Sequence, residues 1–595
     1  MVVEPPAGKL VSEQLPPIRV TASIRPVKLT EPKPGVYVFD LGVNIAGWGR
    51  LSTRGPRGTM VTLQYNELLN PDGTVNTQQN SSHTHGRFQT EEFILKGEGV
   101  ETFEPRFTYH GFRYVQVTGL TEKLTLDSLT GRWVYTDPEP AGHFTCSNER
   151  INKVQELILR TLLNNMHGIP TDCPQREKMG WMDDGCVGME TAFYNWDLPL
   201  FYEKWFHDMM DAQDANGFVP DFVPTCGWGR SGPDGSPGEM ADQWWGGAIV
   251  MAPWKLYQYY GDTRILEEGY PSMKAYVDYL GTTAKDHLIN WGLGDWLVGS
   301  AKASAPPQTD LSTAAYAYQA RILSQTAALL GKHDDARRYA ALAEQIRDAF
   351  NKKNLNPETS WYVSDSQTGQ AVPLALGLAP EDLRPRILER LVENITVSRK
   401  GHVGAGIVGL LPLFKALMEN GRDDLAYLMM TREDFPGWLH MINSGATSIW
   451  EAWDGGGSRN HPTLGCVGMW FYQGLAGIRP DPAAPGFKCI IIKPAVVGDL
   501  SWVKCSYPSL RGLIVSNWRR EGGKLRLEVD IPPNTTATVY VPAAQSAAVT
   551  ESGQTAGNAG GVKFLRTEKG AVVYEVGSGK YIFEVPFSLS GAAGQ

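Results

Sequence analysis

The hydrophobic and polar pattern changes character twice along this 595-residue chain. Over roughly the first 140 residues the spacing is that of strands. Gly35-Val-Tyr-Val-Phe-Asp40, Met60-Val-Thr-Leu-Gln-Tyr65 and Phe112-Arg-Tyr-Val-Gln-Val-Thr118 alternate or are β-branched, and Gly and Pro punctuate them. They predict an antiparallel β-sandwich. The passage Thr136-Asp-Pro-Glu-Pro-Ala-Gly142 reads as a linker or sheet edge. From about residue 147 the period becomes helical, with Ile151, Val154, Leu157, Ile158 and Leu162 on one face. Leu311 to Leu330 is Ala-rich and amphipathic and stops at Gly331. Asp335 to Phe350 repeats the idea, which predicts an antiparallel helix pair. Helical stretches separated by loops rich in Gly, Pro and Trp continue to about residue 478. They suggest an α/α toroid whose loops line a cup at one end, a step taken by architectural analogy. Strands return after residue 479: Lys524-Leu-Arg-Leu-Glu-Val-Asp-Ile531 alternates after Gly522-Gly523, and Thr538-Val-Tyr-Val541 follows Pro532-Pro533. The end, Ser588 to Gln595, reads as frayed.

The division into 1–140, 141–478 and 479–595 suits the length, which exceeds what one core serves. Composition adds little to fold but narrows function. A net charge of -9 gives no electrostatic footprint for nucleic acid or an anionic membrane, and no window is apolar enough to span a bilayer. The 18 Trp and 23 Tyr fit carbohydrate binding, where sugar C–H faces stack on rings, and equally fit large cores. Seven Cys, an odd number without a CxxC pair, argue against a disulfide framework or structural zinc. His83-Thr-His85 is the one close His pair and reads as a surface turn, so neither metal nor cofactor is expected. The N-terminus lacks an apolar core of signal-peptide length, so a cytoplasmic setting is the expectation. Nothing bears on a homodimer, which stays open.

Two segments could carry chemistry. Thr171-Asp-Cys-Pro-Gln-Arg-Glu-Lys-Met-Gly-Trp-Met-Asp-Asp184 gathers four acidic side chains, Arg176 and Trp181 in a loop that runs into a helix start. Acidic groups at a helix N-terminus are favoured by the backbone dipole alone. The alternative is functional: an aromatic wall and neighbouring carboxylates would help Glu177 hold a proton, Arg176 would oppose this, and a held proton is what a general acid needs. The second segment is Gly445-Ala-Thr-Ser-Ile-Trp-Glu-Ala-Trp-Asp454. Here Glu451 stands between Trp450 and Trp453, Gly455-Gly-Gly457 follows, and His461 comes ten residues after Glu451. A Gly-capped helix end with buried Trp residues would explain it; so would one of two carboxylates facing each other over an aromatic cup, the arrangement for glycoside hydrolysis. Asp242-Gln-Trp-Trp-Gly-Gly-Ala-Ile249 and Gly292-Leu-Gly-Asp-Trp-Leu297 each put Trp near a loop–helix junction and could be walls of a sugar pocket.

These segments resemble signatures of the bacterial α-L-rhamnosidases of glycoside hydrolase family 78. TDCPQREKMGWMDD resembles the family's DCPQR…GW…D, and GATSIWEAWDG its GAT-x-WE-x-WD-G. PKPGVYVFDLGVNIAGWGR is similar to the β-domain before the catalytic domain, and NHPTLGCVGMWFYQGLAGIRPDPAAPGF to the passage into the C-terminal one. The resemblance covers nearly the whole chain. It implies a central (α/α)6 barrel flanked by N-terminal and C-terminal antiparallel β-sandwich domains, no catalytic metal, and inverting release of terminal α-L-rhamnose from a rhamnoside substrate. It implies Glu177 as general acid and Glu451 as general base. Asp172, Arg176 and Asp184 match positions that hold the sugar hydroxyls, Trp181 and His461 match further contacts, and Trp245 and Trp296 match aromatic walls. The chain departs from the pattern in carrying one acidic residue after Arg176 where many members have two. It also has Met182-Asp183 where many have Thr-Gly, so Asp183 competes with Asp184 for the sugar. The alternatives are a barrel glycosidase for another neutral sugar and a non-catalytic carbohydrate-binding protein; the acidic cluster speaks against an anionic sugar.

Overall fold

The computed structural model describes residues 12–80, 84, 87–225, 242–298, 309–362 and 366–587. Cys226, His83, His85 and Ser588 to Gln595 lie outside the described residues. The chain forms an N-terminal sheet region, a helical middle and C-terminal sheets, each where the pattern changes period.

The N-terminal strands form one continuous eight-stranded antiparallel sheet around its own core, which includes Phe39, Ile45, Val61, Leu63, Phe112 and Val115. One strand joins them into a single sheet. Val36–Thr53 is 18 residues long. Its first half pairs with Lys28–Lys33 and its second half with Leu129–Thr136 and Glu101–Phe103, while His110–Thr118 runs beside both. Its register against His110–Thr118 breaks between Asp40 and Ile45. Such an interruption bends a strand and lets it serve both sides of a core.

The helix Glu149–Asn164 starts on Asn148, whose side chain accepts from the backbone of Arg150 and Ile151, and buries the predicted stripe from Ile151 to Leu162. Thr309–Leu329 and His333–Asn354 are the expected pair, with Gly331 in the left-handed turn between them (φ +69°). Met182–Asn195 is different: every residue of it is buried.

The C-terminal strands build a five-stranded and a seven-stranded sheet. Lys524–Ile531 and Thr536–Val541 lie where alternation puts them. Two features depart from a self-contained antiparallel unit. Cys489–Ile492 pairs with Thr536–Val541 in parallel. His143–Cys146, just past the expected linker, is the edge strand of the seven-stranded sheet, paired with Trp502–Ser509. The first segment of the middle region is thus anchored in the last sheets. The apolar core correspondingly runs without a break from the helices into the C-terminal strands.

Candidate active site

A cavity of about 460 Å³ opens among the loops of the helical region. The structure brings all nine of the sequence-identified site residues to its wall. Asp172, Arg176, Glu177, Trp181 and Asp184 come from the first segment, Glu451 and His461 from the second, and Trp245 and Trp296 from the loops between.

The first segment closes on itself. The Asp172 N–H donates to the Met179 carbonyl (2.9 Å), the Lys178 N–H to the Cys173 carbonyl (3.0 Å), and the Met179 N–H to Asp172 Oδ1 (2.9 Å). Lys178 takes a left-handed conformation (φ +57°) to complete the turn, and its Nζ reaches the Tyr109 carbonyl at 2.6 Å. This turn presents Glu177. Trp181 Nε1–H donates to Glu177 Oε2 at 2.8 Å, and Arg176 Nη2 lies 2.8 Å from Oε1. Burial and then the Glu177 charge push Asp172 well above the usual carboxylate range.

At Trp181 the chain enters the helix Met182–Asn195, with Asp183 and Asp184 in the first turn. The two point to different places. Asp184 lines the cavity, where its Oδ2 accepts from Trp245 Nε1 (3.0 Å) and its Oδ1 lies 3.3 Å from His461 Nε2. Asp183 lines a separate cavity of about 870 Å³, together with Lys255 and Lys415. Burial pushes Asp184 up to about 7 and Asp183 well above its ordinary value.

Glu451 lies in no helix; the helix Trp438–Asn443 has already ended. A tight loop holds it. The Ser458 N–H donates to Glu451 Oε2 at 2.6 Å, and the Glu451 N–H donates to the Ser458 carbonyl at 2.9 Å. Gly457 makes this possible: it is left-handed (φ +67°), and a Cβ there would lie 2.3 Å from Glu451 Oε2. Arg176 Nη2 reaches Glu451 Oε2 at 3.0 Å, so one guanidinium nitrogen touches both carboxylates. Burial pushes Glu451 up, but His461, Arg176 and the Ser458 N–H outweigh it and hold the carboxyl below its ordinary value. His461 is itself pushed down by burial, so at neutral pH Arg176 is the permanent cation beside Glu451. The flanking tryptophans are supports rather than walls: Trp453 packs edge-on against Trp438, and Trp450 lies under the Arg459 guanidinium.

Sequence reasoning passed over part of the wall and most of its scaffold. Leu293, Leu297 and Ile407 add an apolar side to the cavity. Asp295 holds the loop of Trp296, which is 42% exposed, against the N-terminus of helix Ile407–Glu419, accepting from the Gly406 and Gly409 N–H groups at 2.9 Å each. Asp242 joins the two Trp loops: its Oδ1 accepts from the Trp244 N–H and its Oδ2 from the Leu293 N–H. An Asp one to three positions before Trp245 and Trp296 was the available signal.

Chemically, the arrangement offers two carboxylates from separate loops, one cation between them, further polar groups suited to hydroxyls, and aromatic and aliphatic walls. Among the described residues no cluster of three or more His, Cys, Asp or Glu side chains could hold a metal ion.

Three family descriptions match consecutive parts of the chain: the bacterial alpha-L-rhamnosidase concanavalin-like domain over residues 30–135, the 6 hairpin glycosidase domain over 139–475 and the C-terminal domain over 477–556. A curated alpha-L-rhamnosidase of Streptomyces avermitilis is 36% identical across 97% of this chain and 54% of its own length. The solved structure of an alpha-L-rhamnosidase from Dictyoglumus thermophilum superposes with TM-score 0.89 at 37% identity, covering 98% of this chain and 66% of that one. That of Streptomyces avermitilis alpha-L-rhamnosidase complexed with L-rhamnose gives 0.87 at 35% identity, covering 97% and 54%. The chain thus spans about half to two thirds of the length of these relatives.

Proposed function

The chain belongs to the bacterial alpha-L-rhamnosidases, and on that basis we propose that it hydrolyses terminal, non-reducing α-L-rhamnose from rhamnosides with inversion at the anomeric carbon. Glu177 is the general acid that protonates the leaving oxygen. Glu451 is the general base that takes a proton from water on the opposite face of the ring. The observation that carries this reading is the placement of Glu177 and Glu451, from separate loops, on one Arg176 nitrogen at the cavity wall. An inverting pair works at a carboxyl separation of roughly 6.5–9.5 Å, with the water between substrate and base; the shared Arg176 nitrogen brings one oxygen of each carboxylate closer than that, so the reading requires Arg176 to release one of them when sugar and water enter.

The environments suit the division of labour. A base must be ionised, and Glu451 is held below its ordinary value. Asp172, Arg176, Asp184 and His461 bind the sugar hydroxyls. Trp181, Trp245 and Trp296 stack on the ring, and Leu293, Leu297 and Ile407 receive the methyl group of the 6-deoxy sugar. Asp184, on the same wall as both glutamates, is assigned to the sugar rather than Asp183. The helical region is read as an (α/α)6 barrel whose loops form this cup, a reading supported by its succession of paired helices.

A panel of p-nitrophenyl glycosides tests the substrate. The α-L-rhamnoside should be cleaved at least a hundredfold faster than the α-D-glucoside or α-L-fucoside, since a site built for particular hydroxyls leaves buried polar groups unpaired with the wrong sugar. Preference for another sugar would keep the two-glutamate mechanism and discard the rhamnose assignment. Binding without turnover of any of them would favour a carbohydrate-binding protein.

A further inference from the structure

The loop of Glu451 is gripped from outside the helical region. Where strand Val36–Thr53 breaks register, Asn44 is released from the ladder. Its N–H donates to Thr447 Oγ1 at 2.9 Å, and its Nδ2 donates to Glu67 Oε1 at 2.8 Å. Glu67 follows the strand Met60–Asn66 and is 3% exposed. Its Oε2 accepts from the Arg459 N–H at 2.8 Å and from Gln79 Nε2 at 3.0 Å. Gln79 Nε2 also donates to the Gly457 carbonyl at 3.1 Å. The N-terminal sheet region therefore holds residues 457 and 459 from both sides of Ser458, the residue whose N–H bonds Glu451.

We propose that Glu67 is a positioning residue for Glu451, and that the N-terminal sheet region is part of the catalytic apparatus. This rests on Glu451 being the base. Glu67 acts by fixing the 457–459 loop so that the Ser458 N–H stays aimed at the Glu451 carboxylate. A carboxylate is needed because both of its oxygens face donors and it presents acceptors only. An amide of the same shape accepts on one side only: it either turns an N–H₂ toward the Arg459 N–H or forces the Asn44 amide to flip and give up its contact with the Arg459 carbonyl, and either change loosens the loop.

The test compares Glu67→Gln with wild type in the full chain, by two readouts. In the absence of substrate, hydrogen–deuterium exchange of peptides covering 450–461 should speed up about tenfold, with strands distant from Glu67 unchanged. On p-nitrophenyl α-L-rhamnopyranoside, kcat should fall about tenfold with little change in KM. The acidic limb of the pH profile should also move to higher pH, because a carboxylate that loses its N–H donor is less stable in its charged form. Gln79→Ala removes the contacts to Glu67 and to the Gly457 carbonyl while leaving Glu67 on the Arg459 N–H, and should show the same changes, smaller, even where Glu67→Gln does not fold. Unchanged exchange over 450–461 would overturn the proposal. So would a lowered melting temperature with kcat and pH profile intact, which is what a purely structural link between regions gives. If wild type cleaves no rhamnoside, the hydrolase reading fails by itself and the exchange experiment still decides on the clamp.

Discussion

Glu177 and Glu451 share a cavity wall and a guanidinium, yet they are held in opposite ways. The partners described for Glu177, Arg176 and Trp181, lie one and four positions away, and a short closed turn sets their geometry. Glu451 depends on distance. Arg176 comes from 275 positions upstream, and the loop that supplies the Ser458 N–H is tied to Glu67, 392 positions from Arg459. Glu451 is held by contacts from three parts of the chain. Among the contacts described, those to the carboxylate of the proposed acid come from neighbours in sequence, while those that hold the proposed base come from distant parts of the chain.

Substitutions can break or sharpen this contrast. The largest effect is expected for Glu451→Gln: turnover should fall on the order of 10³-fold on every substrate, since no leaving group substitutes for water activation. Steady-state kinetics on aryl and alkyl rhamnosides would measure it. Glu177→Gln should cost on the order of 10²-fold on alkyl rhamnosides and much less on aryl rhamnosides with acidic phenols. Equal losses on both would contradict the acid role. Gly457→Ala puts a Cβ into Glu451 Oε2 and strains a left-handed residue, so kcat should fall about tenfold and stability by about 1 kcal/mol, read by kinetics and denaturant unfolding. The smallest change is in pH dependence. With Glu451 as the proposed base, activity should need it ionised and should decline as pH falls through its depressed pKa. Arg176→Ala removes a cation that favours the charged form, so the acidic limb should move to higher pH, whatever happens to substrate affinity.

The same contrast governs what could be read in advance. The stripe of Glu149–Asn164, the helix pair around Gly331 and the alternation of Lys524–Ile531 are local periodicities, and they appear where the pattern puts them. The nine candidate site residues, gathered in short segments and singled out chiefly through resemblance to a family, line one cavity. What stayed hidden was non-local. Asn44 is available only because a strand breaks register, His143–Cys146 pairs with Trp502–Ser509 far down the chain, and Glu67 looks like any acidic residue after a strand. Asp183 and Asp184 could not be separated by sequence, because adjacent positions on a wholly buried helix face different cavities.

The central claim, a two-glutamate inverting site for rhamnose, is tested most directly by following p-nitrophenyl α-L-rhamnopyranoside hydrolysis by proton NMR from the first turnovers. β-Rhamnose is expected as the first anomer, with the α form growing in later by mutarotation. Initial α-rhamnose would contradict it, because net retention requires a covalent glycosyl-enzyme intermediate and a nucleophile in place of a water-activating base.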